Sequence, residues 1–144
     1  MNIRNATYHD APAIKLLLEA LGYTARMSLL VNQLETVFGK DDHQVFVYEL
    51  RKEVVAFVSI HILPQLAFDG GVMIITYFSV DEAVKHTNIA KELEQYIANI
   101  AKLKGCERMQ VHCLDSRTPV HQFYLQQGYQ EYPKYFTKRL VYGE

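Results

Sequence analysis

The run from Val72 to Val80, VMIITYFSV, constrains this chain more than any other stretch. It is almost wholly apolar, β-branched or aromatic, with no alternation that would leave one face wet. Such a segment belongs inside a sheet and not at its edge. A short polar loop, DEAVKHT, follows, and then NIAKELEQYIANIAKL. In the last piece Ala90, Leu93, Ile97, Ile100 and Ala101 recur at helical spacing, and Gly105 stands where a C-cap belongs. Thr87 is the expected N-cap. A buried strand that feeds a loop and then an exposed helix N-terminus makes an anion site. Backbone amides point outward there, and the helix dipole favours negative charge.

Size and composition bound the rest. With 144 residues, the chain is expected to form a single domain over residues 1–144. The apolar share of 49% and charged share of 22% are those of an ordinary globular protein. A net charge of −1 gives no global basic field for nucleic acid. No apolar run reaches the ~20 residues that a bilayer span requires. The opening MNIRNATYHDA has no apolar core of a secretory signal, so a cytoplasmic location and no membrane partner are expected. Cys106 and Cys113 have no metal-binding partner spacing and read as small buried hydrophobes.

Read in order, Ile3 to Thr7 is a short strand, and Asp10 caps a helix with Pro12 in its first turn. Ile14, Leu17, Leu18 and Leu21 form that helix's buried stripe, and Gly22 ends it. Ser28 caps a second helix that buries Leu30, Leu34 and Val37 and closes at Gly39. Gln44–Leu50 and Val54–Leu63 are strands joined by a tight turn at Arg51, Lys52 and Glu53. Pro64 breaks the second strand, and Asp69, Gly70 and Gly71 turn the chain into the central strand. These three strands predict an antiparallel meander. Arg108–Leu114 is a further strand, and Thr118 with Pro119 opens a helix carrying Val120, Phe123 and Tyr124 that ends at Gly128. Tyr129–Glu131 and Tyr135–Val141 read as a closing hairpin. The predicted class is α+β, with a mixed, mostly antiparallel central sheet flanked by helices in the order β-α-α-β-β-β-α-β-α-β-β.

Val80, Asp81, Glu82, Lys85, Asn88, Ile89, Ala90, Lys91 and Leu93 resemble motif A of the GNAT superfamily of acetyl-CoA-dependent N-acetyltransferases. That motif runs Arg/Gln-x-x-Gly-x-Gly/Ala after a strand ending in Val. Lys85 stands here for the Arg and Asn88 for the first Gly. Farther on, Phe123, Tyr124, Gly128 and Tyr129 are similar to the heart of motif B, Phe-Tyr-x-x-x-Gly-Phe/Tyr. The trailing Tyr135, Phe136, Lys138 and Leu140 match the family's last strand. The resemblance implies a layered α/β/α fold and acetyl-CoA as cosubstrate, with no metal. It implies that the strand backbone at Phe78, Ser79 and Val80 takes the pantetheine arm, next to a β-bulge. The CoA pyrophosphate would then lie on Lys85, His86, Thr87, Asn88, Ile89, Ala90 and Lys91. It gives Tyr124 the role of protonating the departing thiolate.

Transfer from a thioester to an amine needs a neutral amine, hence a proton acceptor, and a donor for the carbonyl oxygen. His61, Tyr77, Glu82 and His112 are all candidates for the base, and the sequence does not choose among them. His86 could also donate to phosphate, while His121, three residues before Tyr124, reads as a solvated helix residue. The least motif-like parts, Asp10–Gly39 and Pro64–Gly71, are where a small-molecule or peptide amine would be recognised. Glu19, Glu35, Asp41, Asp42 and Asp69 offer negative charge there. The aromatic set Tyr129, Tyr132, Tyr135, Phe136 and Tyr142 has few cations beside it, which favours a core or homodimer contact over base stacking. Two rival readings stand beside the enzyme: a CoA-binding or regulatory module without catalysis, and an enzyme for a longer acyl group.

Overall fold

The structure, a computed structural model, describes residues 2–112, 118–132 and 136–141. The chain forms two compact units, Met1–His112 and Cys113–Glu144. The first holds β1 (Ile3–Asn5), α1 (Ala11–Ala20), α2 (Met27–Phe38), β2 (His43–Leu50), β3 (Glu53–Leu63), β4 (Gly71–Val80), α3 (Ile89–Leu103) and β5 (Cys106–Val111). The second holds α4 (Thr118–Gln126). Short 3-10 turns at Tyr8–Asp10 and Glu82–Val84 lead into α1 and towards α3.

All five strands form one sheet in chain order. The pairs β1–β2, β2–β3 and β3–β4 are antiparallel; β2, β3 and β4 form the expected meander, while α1 and α2 intervene between β1 and β2. The β4–β5 pair is parallel, with α3 as its crossover. The result is the mixed, mostly antiparallel sheet of an α+β fold. The β2–β3 turn is tight because Arg51 and Lys52 both adopt positive φ, 53° and 67°, the backbone that a two-residue hairpin needs.

Register assigns the two faces. Val45, Val47 and Phe57 share one face and pack with Ala11, Ile14 and Leu17 of α1 and Leu34 of α2. Phe46 lies on the opposite face, where its ring meets Tyr96 of α3 edge-on at 5.2 Å. α3 buries Ile89, Leu93, Ile97 and Ala101, spaced four residues apart along one stripe. Tyr48 on that face donates to Glu92 Oε1 at 3.2 Å, which ties the first turn of α3 to β2.

Several local expectations shift. Asp10 does not cap α1 with its side chain. Its carboxylate instead takes Arg4 Nη1 and Nη2 at 2.8 and 2.9 Å and the Thr7 amide at 2.8 Å, closing the turn before the helix. Burial acts to raise the Asp10 pKa, but the Arg4 and Thr7 hydrogen bonds outweigh it and hold the carboxyl below its ordinary value. Ser28 lies within α2, which already begins at Met27 with no side-chain cap. Asn88, not Thr87, flanks the start of α3. Thr87 Oγ1 donates to Val84 O at 2.6 Å and accepts from the Ile89 amide at 3.4 Å, so it braces the loop and the first helical amide together. Cys106 is half-buried, while Cys113 lies outside the described residues.

The closing hairpin does not form in the described parts of Tyr129–Glu131 and Tyr135–Val141. Residues 129–132 and 136–140 carry no strand pairing, and Tyr135 and Tyr142 lie outside the described residues. Alternating polarity fits a strand, but a strand forms only where a neighbour supplies its ladder. Tyr132 and Phe136 are exposed and not core.

The Asp69–Gly71 turn has a steric reason. A Cβ on Gly70 would collide with the carbonyl oxygen of Gly105, so this glycine lets the head of β4 dock on the end of the α3–β5 connection. Gly70→Ala should therefore cost about 1–3 kcal/mol, as overpacking does. Gly39→Ala, whose nearest neighbour would be Thr36 O at 3.9 Å, should be neutral or stabilising. Urea unfolding of the two variants measures the difference.

Candidate active site

The site is built on an irregularity in β4. Ser59 of β3 is opposite Tyr77, but the next residue, Ile60, is opposite Ile75. Thr76 is thus an extra residue, a β-bulge, and its hydroxyl donates to Ser59 O at 3.0 Å. In a regular strand Ile75 and Tyr77 would share a face. The bulge puts Ile75 with Ile60 on the α3 face and Tyr77 with Ser59 on the α1/α2 face. The expected bulge is therefore present but two residues earlier than Phe78–Val80. It also coincides with the end of the parallel ladder, whose last pair is Ile75 with Val111. Beyond it β4 continues through Val80, with β3 as its ladder neighbour among the described residues. Tyr77 to Val80 spans roughly 10 Å of strand.

This stretch leads straight into the loop. Asp81 Oδ1 accepts from the Ala83 amide at 3.0 Å and folds the chain into a turn. Lys85, His86, Thr87 and Asn88 are all exposed, while Ile89 is buried and roots α3 in the core. Asn88 has φ −86° and ψ 10°, so no left-handed backbone is needed at this position. The first amides of α3, at Ala90 and Lys91, belong to the turn in which a helix has no acceptors of its own. Lys85 has a partner within its own turn. Its Nζ lies 2.6 Å from Glu82 Oε1, three residues back in the same turn. Ser79 contributes only backbone to this edge, because its buried hydroxyl donates to Leu17 O of α1 at 2.9 Å.

On the α1/α2 face a row of polar and aromatic side chains runs back from the bulge. Tyr77 meets Tyr23, from the α1–α2 connection, edge-on at 5.4 Å. Burial, with Tyr23 adding to it, pushes the Tyr77 phenol up, so it stays protonated near neutrality. Across the ladder from Tyr77 lies the buried Ser59, whose Oγ is 3.1 Å from His43 Nε2. The His43 ring stacks on His61 at 5.0 Å and 14°. His61 Nε2 is in turn 3.5 Å from Asp42 Oδ2. Burial lowers the His43 pKa below the ordinary histidine value; His61 and Lys40 push the same way, against Asp42.

Of the four candidate bases, the structure brings His61 and Tyr77 into one row. Glu82 instead pairs with Lys85 in the loop, and His112 follows the end of β5. His43 and Ser59 are the members that sequence reasoning missed. Hairpin arithmetic about Arg51–Lys52 carries the signal, since His43 falls opposite His61 once the extra residue in β3 between Val54 and Ala56 is counted. Of the acidic candidates for substrate recognition, Asp42 joins this row, and Glu19 is held by Lys15 at 2.9 Å. Among the described residues, no three His, Cys, Asp or Glu side chains are placed to hold a metal ion, and no helix is long and apolar enough to cross a membrane.

In the second unit, Tyr124 of α4 is buried and packs edge-on against Phe123 at 5.3 Å and Tyr129 at 5.2 Å. Gly128, with φ 96°, turns the chain so that the Tyr129 amide returns to Tyr124 O at 3.0 Å. The Phe-Tyr-x-x-x-Gly-Tyr pattern is thus a helix end folded back on its own tyrosine. His121, on the same helix, is half-buried and not the solvated residue expected.

A model of the acetyltransferase (GNAT) family matches residues 7–129, most of the chain and parts of both units. The chain belongs to the GNAT acetyltransferase family. Solved structures agree on the fold. A transcriptional regulator from Bacillus halodurans superposes with a TM-score of 0.88 at 18% identity, covering 96% of this chain and 98% of that one. Glucosamine-6-phosphate N-acetyltransferase from Arabidopsis thaliana gives 0.83 at 20%, covering 96% and 97%. An aminoglycoside acetyltransferase from an uncultured soil metagenomic sample, in complex with sisomicin, gives 0.81 at 19%, covering 96% and 95%. At these identities the likeness is one of fold. No protein with a curated description matches the sequence.

In this loop the Glu82–Lys85 pair would compete with a bound phosphate for the ammonium group. Glu82→Gln should tighten coenzyme A binding by about two- to fivefold, the scale of one exposed ion pair. Lys85→Ala should weaken it and flatten its salt dependence. Titration calorimetry at two salt concentrations reads both.

Proposed function

We propose that this chain is an N-acetyltransferase that moves an acetyl group from acetyl-CoA to a primary amine, by direct attack with both substrates bound. In this reading residues 1–144 act as one cytoplasmic acetyltransferase domain on a small-molecule or peptide amine, with no metal, nucleic acid or membrane partner. The single observation that supports it most is the continuity of the bulged β4 edge, the exposed Lys85–Asn88 loop and the N-terminus of α3. A long ligand with an anionic centre fits such a path. The backbone of Phe78, Ser79 and Val80 would take the pantetheine arm. Lys85, His86, Thr87, Asn88, Ile89, Ala90 and Lys91 would take the pyrophosphate, mostly through backbone amides. Bound acetyl-CoA would supply the activated acyl group.

The chain's own groups then supply the rest. The amine attacks the thioester carbonyl from the Tyr77 side, where the row on the α1/α2 face lies. The carbonyl oxygen gains charge and takes a hydrogen bond from the backbone near the bulge. Tyr124, by the likeness of its Phe-Tyr-x-x-x-Gly setting, gives its phenolic proton to the departing thiolate. Holding both reactants in one orientation supplies much of the acceleration.

Acetyl-CoA at a hundred times its Kd should add about 2.7 kcal/mol of stability, visible as a raised Tm in thermal melts. Tyr124→Phe should keep that shift and lose about a hundredfold to ten-thousandfold in turnover across an amine panel. A Tm shift with no transfer to any amine would instead identify a CoA-binding module. No shift at all would remove the cofactor assignment.

A further inference from the structure

The row that starts at Tyr77 ends in a buried hydroxyl and two imidazoles, and neither His43 nor Ser59 has a role in the reading above. We propose that Ser59 and His43 together take the proton of the attacking amine, with His43 as its final acceptor on the protein. The inference rests on the transfer reading, because it needs an acyl acceptor at the Tyr77 side of β4.

Three observations carry it. Ser59 lies directly across the ladder from Tyr77, at the one place where the bulge redirects β4. Cross-strand neighbours stand about 5 Å apart, so its hydroxyl is next to any group that reaches the bulge from the α1/α2 face. Ser59 is buried, and its Oγ lies within hydrogen-bond distance of His43 Nε2, 3.1 Å. That satisfies the geometric test for a base coupled to a hydroxyl. The His43 ring is held in place by the parallel His61 ring, and His61 is steadied by Asp42. The titratable groups facing His43 are His61 on β3 and Lys40 and Asp42 before β2. Beyond Ser59 they are Tyr77 on β4 and Tyr23 between the first two helices.

The proton balance is simple. With its own proton on Nδ1, His43 accepts the Ser59 proton at Nε2. Ser59 Oγ accepts the proton from the amine as the N–C bond forms. The N–H bonding pair stays on nitrogen, and His43 becomes an imidazolium that releases its proton to water. No oxidant or further reactant is needed. Partial burial, with the neighbouring His61 and Lys40 pushing the same way, holds the His43 pKa below its ordinary value and favours the neutral ring that can accept. His61 lowers the His43 pKa, so removing His61 should raise it.

The experiment measures thiol release from acetyl-CoA against pH, with glucosamine 6-phosphate, spermidine and water alone as acceptors. Wild type should lose kcat as pH falls through the His43 pKa. His43→Gln and Ser59→Ala should each lower kcat about a hundredfold or more and abolish that acid limb, with acetyl-CoA binding retained. His61→Gln should move the limb to higher pH. An NMR titration of the His43 imidazole in wild type and His61→Gln gives the same shift without relying on turnover. Acetyl-CoA binding with no thiol release from any acceptor overturns the transfer reading and this one with it. Thiol release whose acid limb survives both His43→Gln and Ser59→Ala overturns this one alone.

Discussion

One extra residue in β4 organises this molecule. Thr76 has no partner in the ladder with β3, and its hydroxyl fixes the defect by bonding Ser59 O. The consequences follow from the period of two in a strand. Before the bulge, alternate side chains of β4 enter the core beneath α3. After it, the parity is reversed, and Tyr77 and Ser79 face α1 and its following loop. The parallel partner β5 stops at the same level. The strand therefore changes its neighbours and its faces in one step. That is how a strand too apolar for an edge comes to run on past its partner next to an exposed loop.

The loop that follows depends on anchoring elsewhere. Lys85 to Asn88 are exposed, and their hydrogen bonds and ion pair stay within the loop and the first turn of α3. Ile89 and Leu93 root α3 in the core, and the Tyr48–Glu92 hydrogen bond fixes its first turn against β2. The amides are thus presented by a helix whose position is set by burial, with Thr87 bracing the loop against its first amide. Lys85 pairs with Glu82, and Glu92 adds a carboxylate in the first turn of α3, so what positive character this helix start has comes mainly from its backbone amides.

Both faces of the sheet are used, for different purposes. The α3 face holds the helix whose N-terminus follows the exposed Lys85–Asn88 loop. The α1/α2 face carries Tyr23, Tyr77, Ser59, His43 and His61, a set of groups that titrate or hydrogen-bond next to the bulge. The sheet separates the two, and both border the part of β4 beyond its last pair with β5. This division explains why Ser79, in the middle of the expected cofactor strand, turns its hydroxyl to α1.

Much of this was legible in the sequence for one reason: the elements announce themselves locally. The unbroken apolar run of β4, the helical stripe of α3, the Arg51–Lys52 turn and the Phe-Tyr-x-x-x-Gly pattern need only their own neighbourhoods to be read, and they give the α+β class, the order of elements along the chain through β5, the β2–β3–β4 meander and the GNAT family. The sequence also placed a polar turn after Val80 and a helix after that turn, which are Glu82–Val84 and Ile89–Leu103. What it did not determine was anything that depends on how strands line up. A bulge has no residue signature, so its place at Thr76 emerged only from the register of β3 against β4. The offset then decided that Tyr77 faces α1 and that Ser59 lies opposite it. His43 and His61 are distant in sequence and become ring neighbours only because a second extra residue, in β3, shifts their hairpin by one. Local patterning fixes which segments form, but pairing between distant segments fixes which side chains meet, and the candidate proton acceptor belongs to that second kind.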